Sequence, residues 1–146
     1  MESRLRSFAT VDTDNHSNRE STVERHVDAR VGHGVKRGHV VVAVKLMRER
    51  LAEPWTDGTL ADEVHLSRSH LFRCFDATVE MSPMAYLRKM RAERMARLLA
   101  STDLSVAEIA RAVGWTDPSY AARCFHAAYG ISPTEYRRRQ STPRIG

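Results

Sequence analysis

Two stretches of this sequence repeat each other, and the repeat limits the fold more than any other feature. Residues 67–88 and 117–138 match at several positions with a constant offset of fifty. Upstream of them the offset is forty-nine, so the second copy carries one extra residue between Val113 and Asp117. A repeated unit of this kind predicts two similar subdomains in one chain. The matches are Leu60-Ala61 with Ile109-Ala110, Val64 with Val113, Arg73-Cys74-Phe75 with Arg123-Cys124-Phe125, Met81-Ser82-Pro83 with Ile131-Ser132-Pro133, and Tyr86 with Tyr136.

Length and composition indicate one domain of ordinary size with a basic surface. The chain has 146 residues, 23 Lys and Arg against 18 Asp and Glu, and a net charge of +5. This balance is typical of a chain that binds nucleic acid, although an Arg-rich solvated surface has the same composition. The two cysteines occupy equivalent repeat positions beside a Phe, which predicts buried, reduced thiols. The longest apolar run, Val40–Val44, is too short to span a membrane, and we expect a soluble cytosolic protein.

Helix start and stop signals along the chain predict an all-α fold. Residues 1–38 are polar and lack apolar periodicity, so we expect disorder there, with a short helix around 21–30 as the alternative. Residues 39–140 form the folded domain: a first subdomain over 40–81, a long linker helix over 83–100 and a second subdomain over 105–140. Residues 141–146 are a tail. The seven predicted helices cover residues 40–51, 57–65, 68–79, 83–100, 106–113, 118–129 and 133–140.

The helix starts carry strong capping signals, and two helix ends lack the expected glycine. Ser105 and Glu108 form a capping box, and the other caps are Thr56, Ser67, Ser82-Pro83, Asp117-Pro118 and Ser132-Pro133. The second copy ends two helices at Gly114 and Gly130, where the first copy has His65 and Glu80. Because only glycine adopts a left-handed conformation without strain, we expect strain at His65 and Glu80.

One helix in each copy presents an outward polar face with an arginine at the same position. The inward residues at helical spacing are Leu71, Cys74, Phe75 and Thr78 in the first copy, and Ala121, Cys124, Phe125 and Ala128 in the second. The outward residues are Ser69, Phe72, Arg73 and Asp76, and then Ser119, Ala122, Arg123 and His126. An outward arginine can donate two hydrogen bonds to a guanine. A single such residue is more often a solvated arginine, but its recurrence favours contact with a base or a phosphate.

Polar residues near these helices are candidate phosphate contacts. They lie at the start of the two outward-facing helices, on the linker helix and on the last helix: Ser67, Arg68, His70, Arg88, Arg91, Tyr120 and Arg137. A solvated or internally paired role is an equal alternative for any arginine of the linker helix. For the cluster around Arg137 we favour an interaction with the negative end of its own helix over DNA contact.

The motifs of both copies resemble the DNA-binding domain of AraC/XylS-type transcription regulators over about residues 40–140. They are L-x-R-x-F…SP-x-x-Y-L-R in the first copy and S-V-x-E-I-A-x-x-V-G-W…D-P-S-Y…R-x-F…G-I-S-P-x-E-Y-R-R in the second. The resemblance implies two helix-turn-helix subdomains joined by a long helix, with helices 68–79 and 118–129 entering successive major grooves of double-stranded DNA. It also implies that family members commonly carry a separate effector-binding and dimerisation domain. The base-reading residues it implies are Ser69, Phe72, Arg73, Ser119, Ala122 and Arg123.

Two of these positions depart from the polar pattern expected of base readers. Phe72 either contacts a thymine methyl group or folds into the core and reads nothing. Ala122 has no hydrogen-bonding group, so we expect the second subdomain to read mainly through Arg123. Because the outward faces of the two copies differ, we expect two unlike half-readings, and a monomer is compatible with that. RNA polymerase is a further candidate partner.

Catalysis and cofactor binding find little support. The histidines are scattered, with His16, His26, His33 and His39 in the polar segment or just before the first helix, where solvated histidines are common. No nucleophile and base pair and no Gly-rich phosphate loop is recognisable, so we expect no enzyme activity, no metal and no cofactor. The alternative function is a helical protein-interaction module, or a truncated regulator defective in DNA binding that acts through a protein partner.

Overall fold

A computed structural model describes the backbone of residues 27–141 and the side chains of residues 34–141. Within that part of the chain there are seven α-helices and no strand, which confirms the predicted all-α fold. The helices are α1 (Val27–Glu49), α2 (Asp57–Glu63), α3 (Arg68–Val79), α4 (Pro83–Ser101), α5 (Val106–Val113), α6 (Pro118–Tyr129) and α7 (Pro133–Ser141).

The first helix begins earlier than the sequence pattern predicted. We expected a helix over 40–51 after a disordered segment, whereas α1 is helical from Val27. Helix extension is cooperative, and an interior glycine such as Gly38 costs only about 1 kcal/mol relative to alanine. The rest of the polar segment, with most of the helix suggested around 21–30, lies outside the described residues. So do residues 142–146.

The described chain divides into two compact units. Unit 1 contains α1, α2, α3 and the first turn of α4, through Tyr86. Unit 2 contains the short segment Arg50–Pro54 and the chain from Leu87 onward, that is, most of α4 and all of α5, α6 and α7. The long helix was predicted as a linker between two subdomains. In the structure, most of it belongs to unit 2.

Unit 1 is held together by the packing of α1 and α2 on α3. The α1 residues Val40, Ala43, Val44 and Met47 are buried, as are Leu60 of α2 and Leu71, Cys74 and Phe75 of α3. The Phe75 ring meets Tyr86 edge to face, with centroids 6.1 Å apart. The predicted inward face of α3 is therefore confirmed.

Unit 2 has its own core, to which α4 contributes. Ala92, Met95, Ala96 and Leu99 of α4 are buried together with residues of α5, of α6 and of the turn between them, including Ile109, Val113, Trp115, Ala121 and Phe125. Beside this core Phe125 stacks on Tyr129, with centroids 4.7 Å apart. Tyr136 of α7 meets both rings edge to face at 5.4 Å. The aromatic residues Phe125, Tyr129 and Tyr136 therefore lie where α6 and α7 pack together.

The predicted caps are present at the helix starts. Ser105 Oγ accepts a hydrogen bond from Glu108 N–H at 3.0 Å, and Glu108 Oε1 accepts one from Ser105 N–H at 2.8 Å. Asp117 Oδ1 accepts from Ser119 N–H at 2.9 Å at the start of α6. The hydroxyls of Thr56, Ser67, Ser82 and Ser132 accept in the same way from the backbone three residues on.

The strain expected at two helix ends is also confirmed. Among the described residues, His65 and Glu80 are the non-glycine residues with positive φ, at 60° and 59°. Their equivalents Gly114 and Gly130 have φ of 108° and 81°. Each helix end thus keeps a left-handed turn whether or not a glycine is present.

No described helix is long and apolar enough to cross a membrane.

Candidate nucleic-acid interface

The outward face of α3 carries the first set of candidate base readers. Ser69, Phe72 and Arg73 are all exposed, while their neighbours Leu71 and Cys74 are buried. Phe72 is 50% exposed, so its side chain does not fold into the core of unit 1. The structure thereby decides between the two interpretations of Phe72: the ring lies on the surface.

The first turn of α3 is fixed by a cap and by a pair of histidines. Ser67 Oγ accepts a hydrogen bond from His70 N–H at 3.1 Å, so this hydroxyl serves the helix itself. The half-buried His70 ring meets His39 of α1 edge to face, with centroids 5.5 Å apart. Arg68 is exposed beside them. Of the candidate phosphate contacts in unit 1, Arg68 is the one whose charge faces solvent.

In unit 2, α6 presents the equivalent face with a smaller set of side chains. Ser119, Tyr120 and Arg123 are exposed, while Ala122 is half-buried. Asp117 and Pro118 start the helix, and Ser119 N–H donates to the Asp117 carboxylate. The exposed side chains of this face that can form hydrogen bonds are therefore Ser119, Tyr120, Arg123 and His126, and Arg123 has the longest reach.

Tyr120 lies at the centre of a small cluster of unit 2. The Arg123 guanidinium carbon is 5.6 Å from the centroid of its ring, a cation–π distance. On another side the buried Trp115 meets the ring edge to face at 6.4 Å. Hydrogen bonding with the Cys124 side chain raises the pKa of the Tyr120 hydroxyl, and partial burial raises it further. The nearby Arg88 guanidinium opposes that rise. One tyrosine therefore connects Arg123 of α6 with Arg88 of α4.

Two of the residues predicted to contact phosphate make hydrogen bonds within the protein. The Arg91 side chain is buried, and it donates from Nε to the carbonyl oxygen of Leu51 at 3.1 Å and from Nη2 to that of Glu53 at 2.7 Å. Burial lowers the pKa of Arg91, since it disfavours the charged form. The guanidinium therefore faces carbonyl groups of unit 2.

Arg137 also bonds to backbone carbonyl groups of unit 2. Its guanidinium donates to three carbonyl oxygens, those of Leu99, Thr102 and Leu104, at 3.1, 3.0 and 2.6 Å. These carbonyls lie at and beyond the end of α4, where backbone acceptors lose their helical partners. Arg137 therefore caps α4, a helix other than its own. The spacing of residues in the sequence gave no signal that Arg91 or Arg137 would bond to distant carbonyl groups.

Sequence reasoning missed the residues that pack around the candidate base-reading side chains. Trp115 was seen as part of a motif, but its position against Tyr120 was not anticipated, nor was the placement of Arg88 beside that ring. The only signal in the sequence was the Gly114-Trp115 pair shortly before the α6 cap. Among the described residues, no group of three or more His, Cys, Asp or Glu side chains could hold a metal ion.

Comparisons with known proteins agree with this geometry. A family described as a helix-turn-helix domain matches residues 60–139. The chain is 34% identical over 97 residues to the HTH-type transcriptional regulator GbdR of Pseudomonas aeruginosa, an alignment that covers 66% of this chain and 26% of that protein. It spans about a third or less of the length of the curated relatives it matches.

Solved structures show the same fold. An AraC-type transcriptional regulator from Chromobacterium violaceum superposes with a TM-score of 0.69 at 26% identity, covering 76% of this chain and 99% of that one. The DNA-binding domain of AdpA, a global transcriptional factor crystallised with a target DNA, gives a TM-score of 0.65 at 30% identity. That superposition covers 68% of this chain and 89% of the AdpA domain.

Proposed function

We propose that this chain, which belongs to the AraC/XylS family of helix-turn-helix proteins, is a sequence-specific DNA-binding transcription regulator. Helices α3 and α6 are its proposed reading helices, each entering a major groove of double-stranded DNA. The observation that carries the proposal is the pair Arg73 and Arg123. Both arginines are exposed at the same position of equivalent capped helices.

Each arginine suits the chemistry of base reading. A guanidinium is planar and always charged, and it donates two parallel hydrogen bonds to O6 and N7 of a guanine. The residues proposed to read bases beside them are Ser69 and Phe72 in unit 1, and Ser119 and Ala122 in unit 2. Ala122 contributes contact without a hydrogen bond, so we expect unit 2 to depend mainly on Arg123.

Phosphate contacts are proposed for the exposed polar residues around the reading helices. Arg68 and Arg88 are exposed, as is Tyr120. Ser67 and His70 lie at the start of α3, where free backbone N–H groups favour an anion. Such contacts orient a protein on the duplex and give its affinity a steep dependence on salt.

Further properties follow from this function as proposals. The unlike outward faces of the two units suit an asymmetric site read by one chain, so we propose that a monomer is sufficient for binding. RNA polymerase is the proposed protein partner, as for a regulator acting at a promoter. Because DNA is the ligand, the cytoplasm is the proposed place of action, and we propose no enzyme activity.

The test is selection of bound fragments from a random duplex pool with the purified chain, followed by titration of the recovered site and a scrambled duplex. We expect Arg73→Ala and Arg123→Ala each to weaken specific binding by about 1–3 kcal/mol and to relax preference at one base pair. Arg139→Ala is the matched control, because it removes the same charge from an exposed arginine of α7 that pairs with Glu135. A pool that yields no preferred sequence would overturn sequence-specific binding and favour the protein-interaction module.

A further inference from the structure

Phe72 places a large apolar side chain at the surface of unit 1. Half of its surface is exposed, on a helix whose inner face is fully buried at Leu71, Cys74 and Phe75. Phe72 is not part of the buried core of unit 1. Its ring is therefore available to cover an apolar group of a ligand.

The surroundings of Phe72 favour DNA as that ligand. Arg73 follows it in the chain, Ser69 lies one helical turn before it, and both are exposed on the same outward face with Arg68 nearby. An apolar ring beside two arginines and a hydroxyl, with the carboxylate of Asp76 one turn further on, suits a polyanion that offers a small apolar group more than it suits an apolar protein groove. In the major groove that group is the 5-methyl of thymine.

We propose that Phe72 is a specificity-determining residue that packs against the 5-methyl group of a thymine in the DNA segment read by α3. This inference rests on the proposed function and adds the chemistry of one contact. The equivalent residue in unit 2 is Ala122, which is half-buried and much smaller. Methyl reading by an aromatic ring is therefore assigned to unit 1 and not to α6.

The experiment uses the duplex selected by the full chain. Each thymine of that duplex is replaced in turn by deoxyuridine, which removes the methyl group and leaves every hydrogen-bonding group in place. Binding of the wild type and of Phe72→Ala is measured for each duplex. Val42→Ala is the matched control, since Val42 is 51% exposed on α1 and lies off the reading helices. Thermal unfolding of all variants checks that the exposed substitutions leave the fold intact.

We expect one thymine at which deoxyuridine weakens wild-type binding about fourfold, the change that corresponds to about 0.8 kcal/mol for one buried methyl-sized group. The same replacement should leave the affinity of Phe72→Ala unchanged, while Val42→Ala should keep the fourfold loss. A wild type insensitive to every deoxyuridine, or a loss that persists in Phe72→Ala, would overturn the methyl contact while leaving sequence-specific binding intact. Failure to select any duplex would instead overturn the proposed function.

Discussion

The guanidinium of Arg91 lies directly against Gly114, so closely that a β-carbon on this glycine would be 2.7 Å from Cζ of Arg91. The same β-carbon would lie 2.9 Å from Cα of Ala52. Arg91 also holds the carbonyl groups of Leu51 and Glu53. Gly114 is thus required twice, by its positive φ and by the buried arginine that packs over it.

Substitution of Gly114 by alanine should destabilise unit 2 more than the same change at Gly130. Both glycines have positive φ, which costs an alanine about 1–2 kcal/mol. Of these two glycines, only Gly114 has atoms within 4 Å of its added β-carbon, so the clash adds to the strain there. Chemical denaturation of Gly114→Ala and Gly130→Ala measures the difference. Equal losses in the two variants would show that Arg91 yields without cost.

Glu80→Gly should stabilise the protein. Glu80 ends α3 in a left-handed conformation with φ 59°, where glycine has no steric penalty, and we expect a gain of about 1 kcal/mol. Glu80→Ala is the control, since it removes the carboxylate but keeps the unfavourable β-carbon. The free energy of unfolding from urea titrations should rise for the glycine variant alone. A similar gain in the alanine variant would assign the effect to charge instead.

Arg88 and Arg91 should differ in their effect on the salt dependence of DNA binding. Arg88 is exposed and proposed to contact a phosphate, so Arg88→Ala should reduce the slope of log K against log salt by about one. Arg91→Gln should leave the slope unchanged, because that guanidinium is buried against carbonyl oxygens. It should instead lower stability by about 2–4 kcal/mol. Binding titrations at several salt concentrations, with unfolding curves beside them, compare the two.

Tyr120 should matter for base discrimination through Arg123. Loss of the ring in Tyr120→Leu removes a cation–π contact worth about 0.5–1 kcal/mol and lets the guanidinium move. We expect a weaker preference at the base pair read by Arg123. In the background of Arg123→Ala, the same change should leave discrimination unaltered. A double-mutant cycle on the selected duplex and its single-base variants reports this coupling, and strictly additive effects would contradict a positioning role.

The capping box of α5 should make stability depend on acid pH. The pKa of Glu108 is lowered below its ordinary 4.5, first because Ser105 N–H and then the Ser105 hydroxyl hydrogen-bond the carboxylate. A depressed carboxyl pKa contributes stability above 4.5 that is lost as the pH falls through the folded-state value. Wild type should therefore lose more stability than Glu108→Gln between about pH 5 and pH 3. Parallel stability profiles for the two proteins would contradict this.

Sequence reasoning succeeded where the physics is local. Capping oxygens act on N–H groups two or three residues away, so Ser105 could be interpreted from neighbouring residues alone. A missing glycine strains its own turn, and comparison with Gly130 of the second copy revealed this at Glu80. The helical period likewise separated the buried Phe75 from the exposed Arg73. Each of these properties depends on a few consecutive residues, and the repeat showed them twice.

The sequence by itself determined the helices, their caps and the two matching faces, because these follow from spacing and backbone hydrogen bonding. Only the tertiary structure decided which arginines face solvent. Arg88 and Arg91 are three residues apart on one helix, yet one is exposed and the other donates to carbonyls about forty residues earlier in the chain. The direction of a long side chain is set by acceptors brought near it by folding, and no local pattern encodes those acceptors.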